Sequence, residues 1–404
     1  MTSPWIAVRA LDDRTHAIVR RRAIFDAQKW DPQVGDTSTV APYPLVISRD
    51  AWTEVSGMAE ALARETAAAE AELVARPELH RRLGLPWAVR RALRQAAVTG
   101  ATSGAARIVR FDFHFTRHGW RISEANSDVP GGLNEAAGLP PLMLPYYAGT
   151  APVGDPVSAY AAAIAAAVPR GGVVTLVHAT AYSDDQQMMV YLARRLETAG
   201  VSTHLASPLH VRWRGQEAWL DAAWWRGRLD AVVRFFPADW LAGLARSTSW
   251  PHFYAGGRTA LSNPATAILT QTKRLPLVWD ALRTPMATWR RLLPETCDPR
   301  HAAWAGSDEW IVKPALGRIG EGVAMAGLVD RKEMQRIARS VHWWPGSWVA
   351  QRRFETLPVE AGGQPRFPCL GVYTIDGRVA GAYARLSPTP LVDARAMDAA
   401  LLAA

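Results

Sequence analysis

The spacing of apolar and polar positions divides the chain into a helical beginning and a longer part in which helices and strands alternate. Up to about residue 105, apolar side chains recur at helical spacing, most clearly over Trp52 to Arg76 and Ala88 to Val98, where Ala, Glu, Arg and Leu dominate. Residues 1–105 are therefore read as a mainly helical N-terminal region. The period changes at Ala106. The run I-V-R-F-D-F-H-F alternates apolar and polar residues, T-R-H-G follows, and W-R-I-S-E-A-N alternates again. Two such segments around a turn at Gly119 predict a β-hairpin. The turn-rich S-D-V-P-G-G and a proline-rich connection complete a second region, 106–155.

From residue 156 an Ala- and Ile-rich helix leads into the apolar run G-G-V-V-T-L-V-H. A helix over Asp184 to Ala199 stops at Gly200, and V-S-T-H-L-A resumes as a strand, which is a strand–helix–strand unit of parallel type. L-D-A-V-V-R-F-F-P-A-D-W-L adds a further strand, so 156–260 is read as a subdomain on a parallel sheet. Trp213, Trp219, Trp224 and Trp225 crowd this stretch, and such rings pack cores and sheets more often than they cage ligands. Residues 261–404 predict a helix near Thr272 to Leu282, a strand Trp310 to Pro314, a glycine-rich loop and a helix near Arg331 to Val341. Strands around Trp348 to Phe354 and Cys369 to Arg385 follow. The fold class expected is α/β of the α+β kind.

Composition narrows the function classes. The chain has 404 residues, 49% hydrophobic and 21% charged, as in ordinary globular multidomain proteins. Its uncharged stretch Ala136 to Gly154 holds Pro140, Pro141, Pro145 and Pro152, a density that a membrane-spanning helix would not carry. Arg9 and Asp12 come before any apolar signal core could form, and Cys297 and Cys369 fit neither a metal spacing nor a disulfide framework. A cytoplasmic protein with no membrane partner is expected. The charge is 46 − 37 = +9, but the cations are scattered along the chain, so no nucleic-acid partner is expected. Only Lys29, Lys273, Lys313 and Lys332 are lysines; all other cations are arginine. A lysine that survives such a bias marks a place where a compact point charge is needed.

Arg110, Asp112 and His114 alternate on the first hairpin strand, and Glu124 and Asn126 share a face on the second. Across the Gly119 turn, Asp112, Glu124 and Asn126 would form an all-oxygen set suited to a hard cation such as Mg²⁺. A solvated hairpin face with ordinary ion pairs has the same spacing. The loop K-P-A-L-G-R-I-G-E-G-V places Lys313 before Gly317, Gly320 and Gly322, so backbone N–H groups and an ammonium could meet phosphate oxygens. A plain glycine turn reads the same way, and the loop is neither a Walker nor a Rossmann motif.

Taken in order, the motifs resemble the synthetase domain of glutathionylspermidine synthase and its shorter bacterial relatives, over roughly residues 106 to 390. They include R-F-D-F-H, E-A-N-S-D, V-V-R-F-F-P-A-D-W-L, L-S-N-P, T-K-R-L-P-L-V-W, I-V-K-P-A-L-G-R-I-G-E-G-V, W-V-A-Q-R-R-F-E-T-L-P and G-V-Y-T-I-D-G-R-V-A-G-A-Y-A-R-L-S. Those relatives are ATP-grasp carboxylate–amine ligases, which implies an ATP-grasp fold over 261–404 beside a parallel pre-grasp subdomain.

The resemblance further implies Mg²⁺ on Asp112, Glu124 and Asn126, and Arg110 as an anion holder. ATP would lie on Lys273, Lys313, the loop Gly317, Arg318, Gly320 and Gly322, and Gln351 at the hinge. Arg385 would face the transferred phosphoryl group. Asp128, Val129 and Gly131 fall beside the acyl substrate, with Asp128 a candidate base for the amine. Val129 and Gly131 stand near where the synthase has small hydroxyl residues, which argues against glutathione as substrate. The amidase domain of the bifunctional enzyme has no counterpart in these 404 residues. The expected activity is amide formation between a small-molecule carboxylate and an amine through an acyl phosphate; the alternative is an inactive nucleotide-binding or scaffold protein.

Overall fold

The computed structural model describes residues 3–30, 33–34, 37–99, 104–317 and 322–404. A nine-stranded sheet runs through its centre. Its main path is Trp5–Ile6, Leu45–Ile47, Met397–Ala403, Arg378–Ser387, Gln364–Ile375, Ile108–Thr116 and Gly119–Asn126. All neighbours on that path are antiparallel except Met397–Ala403, which lies parallel to Leu45–Ile47. Period two separates its faces. Phe111, Phe113, Leu370, Val372, Ala382, Ala384 and Leu386 belong to one apolar cluster, which also takes in Val55, Leu62 and Leu73 of the helix Arg49–Val74. The alternate positions, Arg110, Asp112, Tyr373, Tyr383 and Arg385, therefore lie on the opposite face.

A second sheet of four parallel strands has the order Ala260–Ser262, Ala231–Phe235, Val173–His178, Ser202–Ala206. The helices Pro156–Ala166 and Ser183–Thr198 pack with it in one cluster containing Ile164, Leu176, Met189, Leu192 and Val233. A third sheet joins Thr296–Cys297, Trp348–Arg352, Trp310–Pro314 and Ala324–Met325, and the helix Arg331–Trp343 covers it through Ile337 and Val341. The tryptophan-rich stretch forms a three-stranded antiparallel sheet in which Trp213 is buried and Trp224 exposed.

Several expected elements differ. The helix near Thr272 to Leu282 is instead a 3₁₀ helix, Leu275–Ala281. Pro276 cannot donate to Thr272 in an α-helix starting there, and Thr272 is extended, with ψ 131°. The stretch Cys369 to Arg385 is a hairpin, turned at Asp376 and Gly377, whose φ values are 48° and 81°. The strand Met397–Ala403 lies in the middle of the main sheet although M-D-A-A-L-L-A shows little alternation; both its faces are covered. Among the described residues no helix is long and apolar enough to cross a membrane.

Candidate active site

The hairpin register sets the chemistry. Asp112 pairs with Glu124 and Arg110 with Asn126, and a bulge between Asp112 and Phe113 follows. Asp112 is 1% exposed. Arg110 grips it with a fork, Nε donating to Oδ1 at 2.7 Å and Nη2 to Oδ2 at 3.0 Å. Arg385 reaches Oδ2 from the neighbouring hairpin at 2.8 Å. One buried carboxylate thus holds two guanidiniums. Burial works against both charges, but Asp112 and the surrounding tyrosine hydroxyls outweigh it and hold both arginines protonated, above their ordinary range. Arg110 also donates to the Gly131 carbonyl at 2.7 Å and to Tyr383 Oη at 3.3 Å. The solvated hairpin face is therefore the reading the structure corrects: first-strand positions are covered by the strand Gln364–Ile375 and by the chain on their far side.

Both candidate lysines come to the second hairpin strand from other elements. Lys273 Nζ lies 3.0 Å from Glu124 Oε2 and donates to the Gly317 carbonyl at 2.8 Å. Lys313 Nζ donates to Gln351 Oε1 at 2.7 Å and to the Ser123 carbonyl at 3.4 Å. Gln351 in turn donates to Thr296 Oγ1 at 3.0 Å. Burial alone would raise the Glu124 carboxyl, but Lys273 and Lys313 outweigh it and hold Glu124 well below the usual carboxylate range. Burial pushes Lys313 down to about 8, with Glu124 partly opposing and Lys273 assisting. Burial likewise lowers His114 to about 4. A narrow cavity opens beside Glu124 and Lys273, closed on the apolar side by Trp289 and Leu293.

Asp112, Glu124 and Asn126 converge: the Asn126 amide nitrogen is 3.3 Å from Asp112 Oδ2 and 3.5 Å from Glu124 Oε1. Among the described residues no group of three His, Cys, Asp or Glu side chains could hold a metal ion. The candidate set instead has two carboxylates and an amide. Its all-oxygen chemistry fits Mg²⁺, which keeps part of its shell for water and phosphate, provided the Asn126 amide presents its oxygen.

In the loop after the hairpin, Asp128 is 1% exposed, and its oxygens accept from Arg234 Nη2 and, at 2.9 Å, from the Ala238 N–H. Asp128 is thus a clamp between hairpin and parallel sheet. Both oxygens, like those of Asp112, are engaged inside the protein, and a base for the amine would have to release one of them. Asn263 of L-S-N-P stitches the same junction, donating to the carbonyls of Ile108, Ser127 and Asp128 and accepting from the Ile108 N–H. Val129 packs partly buried against the parallel-sheet cluster. The Gly131 carbonyl accepts from Arg110 and Tyr373, and its α-carbon faces Met188.

Arg318 and Gly320 lie outside the described residues. Gly322 has φ 69°, and a Cβ there would come 3.0 Å from Pro314 Cγ, so this residue lies tight against the Lys313 strand. Sequence reasoning missed Tyr373, Tyr383 and Arg234. Tyrosine and arginine are too common in buried networks to stand out, although the alternation that flagged Arg110 and Asp112 would have placed Tyr373 and Tyr383 on one face of their hairpin.

The model of a family described as glutathionylspermidine synthase preATP-grasp matches residues 40–397. Among solved structures, a glutathione synthetase-like effector from Globodera pallida in its apo form is similar with a TM-score of 0.61 and 13% identity, over 95% of this chain and 97% of that one. A putative gamma-glutamylcysteine synthetase from Methylobacillus flagellatus KT gives a TM-score of 0.45 at 16% identity, over 80% and 86%. No curated protein sequence matches. The fold is of the α+β ATP-grasp kind.

Proposed function

This chain belongs to the glutathionylspermidine synthase preATP-grasp family, and from that premise we propose that it is an ATP-dependent ligase joining a small-molecule carboxylate to an amine through an acyl phosphate. One observation carries the reading: Asp112, held by Arg110 and Arg385, stands directly opposite Glu124, held by Lys273, in a single layer of the hairpin. An acidic pair held by three cations, with the Lys313 ammonium on the adjoining Ser123 carbonyl, is what phosphoryl transfer asks of a protein, since that chemistry depends on positioning and charge neutralisation.

Asp112, Glu124 and Asn126 would hold Mg²⁺, which when bound neutralises charge on the phosphates. Lys273 and Lys313 would hold the phosphates of ATP, and Gln351, already on Lys313, would stand at the hinge. Arg110 and Arg385 have fork geometry for planar oxyanions, so they would orient the substrate carboxylate and the transferred group. The carboxylate oxygen attacks the γ-phosphorus, and the bond to the β–γ bridging oxygen breaks to release ADP. The amine then displaces phosphate from the acyl carbon. Glycine-loop closure would keep water from the acyl phosphate. ADP release against a panel of carboxylates and amines tests the reading: ADP formation that needs both partners supports it, and none with any pair rejects it.

A further inference from the structure

A third lysine lies beside Asp398, the cross-strand partner of Arg385. The helix Asp13–Asp26 ends at Ala27, and Gln28 turns the chain with φ 55°. The turn is pinned to the helix Leu133–Met143: Asn134 Nδ2 donates to the carbonyls of Ala27 at 2.7 Å and Gln28 at 3.2 Å. Gly138 makes that approach possible, since a Cβ there would meet Ala27 Cβ at 2.2 Å. The docking drives Lys29 inward, where it is 4% exposed. Its ammonium lies 2.7 Å from Glu135 Oε1 and 3.1 Å from Asp398 Oδ2.

Asp398 is the cross-strand partner of Arg385, so their side chains leave the same face of the sheet. Backbone bonds to Thr39 and Ala41 fix Asp398 in place. Arg385 spends Nη2 on Asp112, while its Nε is buried with no hydrogen-bond partner among the described residues; Glu135 Oε2 is in the same condition. The guanidinium thus has a spare donor, and Asp398, which shares Lys29 with Glu135, is an anion across the strands that could claim it. Lys29 is the cation that occupies those anions.

We infer that Lys29 is a positioning residue of the proposed ligase site, an inference that rests on that reading: by neutralising Asp398 and Glu135 in the interior it keeps the Arg385 guanidinium on Asp112. Burial already pushes the Asp398 carboxyl upward against the pull of Lys29, so without Lys29 it keeps its charge only by drawing on Arg385, in a low-dielectric setting where charge pairs are strong. The N-terminal helix then serves the chemistry.

The test is the crystal structure of Lys29→Met. Because two uncompensated buried carboxylates can prevent folding, Lys29→Met with Glu135→Gln is studied in parallel. Arg385 is expected to leave Asp112 for Asp398 in both. ADP formation with an active substrate pair should fall about 10- to 100-fold in kcat, with ATP affinity held within about twofold, because Glu135 and Asp398, which Lys29 pairs with, are not among the residues proposed to hold ATP. Lys29→Met combined with Asp398→Asn, which removes the competing carboxylate, should return Arg385 to Asp112 and restore most turnover. Arg385 remaining on Asp112 in the folded Lys29 variants overturns the inference. Absence of ADP formation by the parent protein would instead reject the ligase reading, and the arginine's position in the crystals would still decide the role of Lys29.

Discussion

Lys273 and Glu124 form a 3.0 Å ion pair that ties the segment after L-S-N-P to the second strand of the hairpin. The same ammonium holds the Gly317 carbonyl, so hairpin, lysine segment and glycine loop meet at one charge. An ATP phosphate that takes up Lys273 would have to release Glu124, and Glu124 would then be free for a cation. In the proposed site, phosphate and metal binding would thereby be coupled.

Lys273→Met is accordingly expected to weaken ATP binding about 10- to 100-fold, the scale of one charge-assisted hydrogen bond. Mg²⁺ should strengthen ATP binding to the parent protein more than to the variant. Calorimetric titration with and without Mg²⁺ checks both, and equal affinities for parent and variant would remove Lys273 from the nucleotide site.

Asp112→Asn should damage the fold as well as the chemistry. A carboxylate on a solvated hairpin face can be changed at a cost of about half a kcal/mol, but Asp112 is 1% exposed and holds two guanidiniums. Removing its charge leaves both uncompensated, at a cost of about 3–5 kcal/mol. Glu124→Gln, at a more exposed position with one ion-pair partner, should cost clearly less. Urea unfolding of the two variants decides this, and equal midpoints would contradict the buried-fork picture.

Binding of ATP should fall as pH rises through about 8. Burial lowers Lys313 to about 8 in the folded protein, against about 10.4 for a free lysine. The sign follows: below pH 8 the ammonium is present and costs folding stability, a cost that fades as pH rises from 8 towards 10. Phosphates favour the charged form, so nucleotide binding should take up about half a proton at pH 8 and close to one about a unit higher. Titration calorimetry in buffers of different ionisation heat reads that proton, and Lys313→Met should abolish the uptake.

Alternation exposed the hairpin, the shared face of Arg110 and Asp112, and the facing row of Glu124 and Asn126, because period two survives when one face is apolar core. It could not show that the other face is buried too, which depends on Gln364–Ile375 lying beside Ile108–Thr116, more than 230 residues away along the chain. The rarity of lysine pointed to Lys273 and Lys313 and would equally have pointed to Lys29, whose partners Glu135 and Asp398 are brought near only by the docking of two helices and a late strand. Nothing in the sequence around Asp128 showed that it is held by Arg234, an arginine from the apolar run A-V-V-R-F.

The substrate pair should not be glutathione and spermidine. The Gly131 carbonyl accepts from Arg110 and Val129 packs against the parallel-sheet cluster, and neither residue offers a hydroxyl where the resemblance places the acyl donor. A polar peptide bound there would leave groups unpaired at about 1–3 kcal/mol each, roughly ten- to a hundredfold in specificity per contact. The position can be refilled. A Cβ on Gly131 would meet only Met188 Cε at 3.8 Å and Sδ at 3.9 Å, ordinary contacts, so Gly131→Ser should fold like the parent. ADP formation with glutathione plus spermidine should run at least about tenfold slower in kcat/KM than with the best pair of a simpler carboxylate and amine. Val129→Ser with Gly131→Ser should narrow that gap by restoring hydrogen-bond partners. Efficient turnover of glutathione and spermidine by the parent chain would show that the missing hydroxyls do not set specificity, and would leave the ligase reading standing.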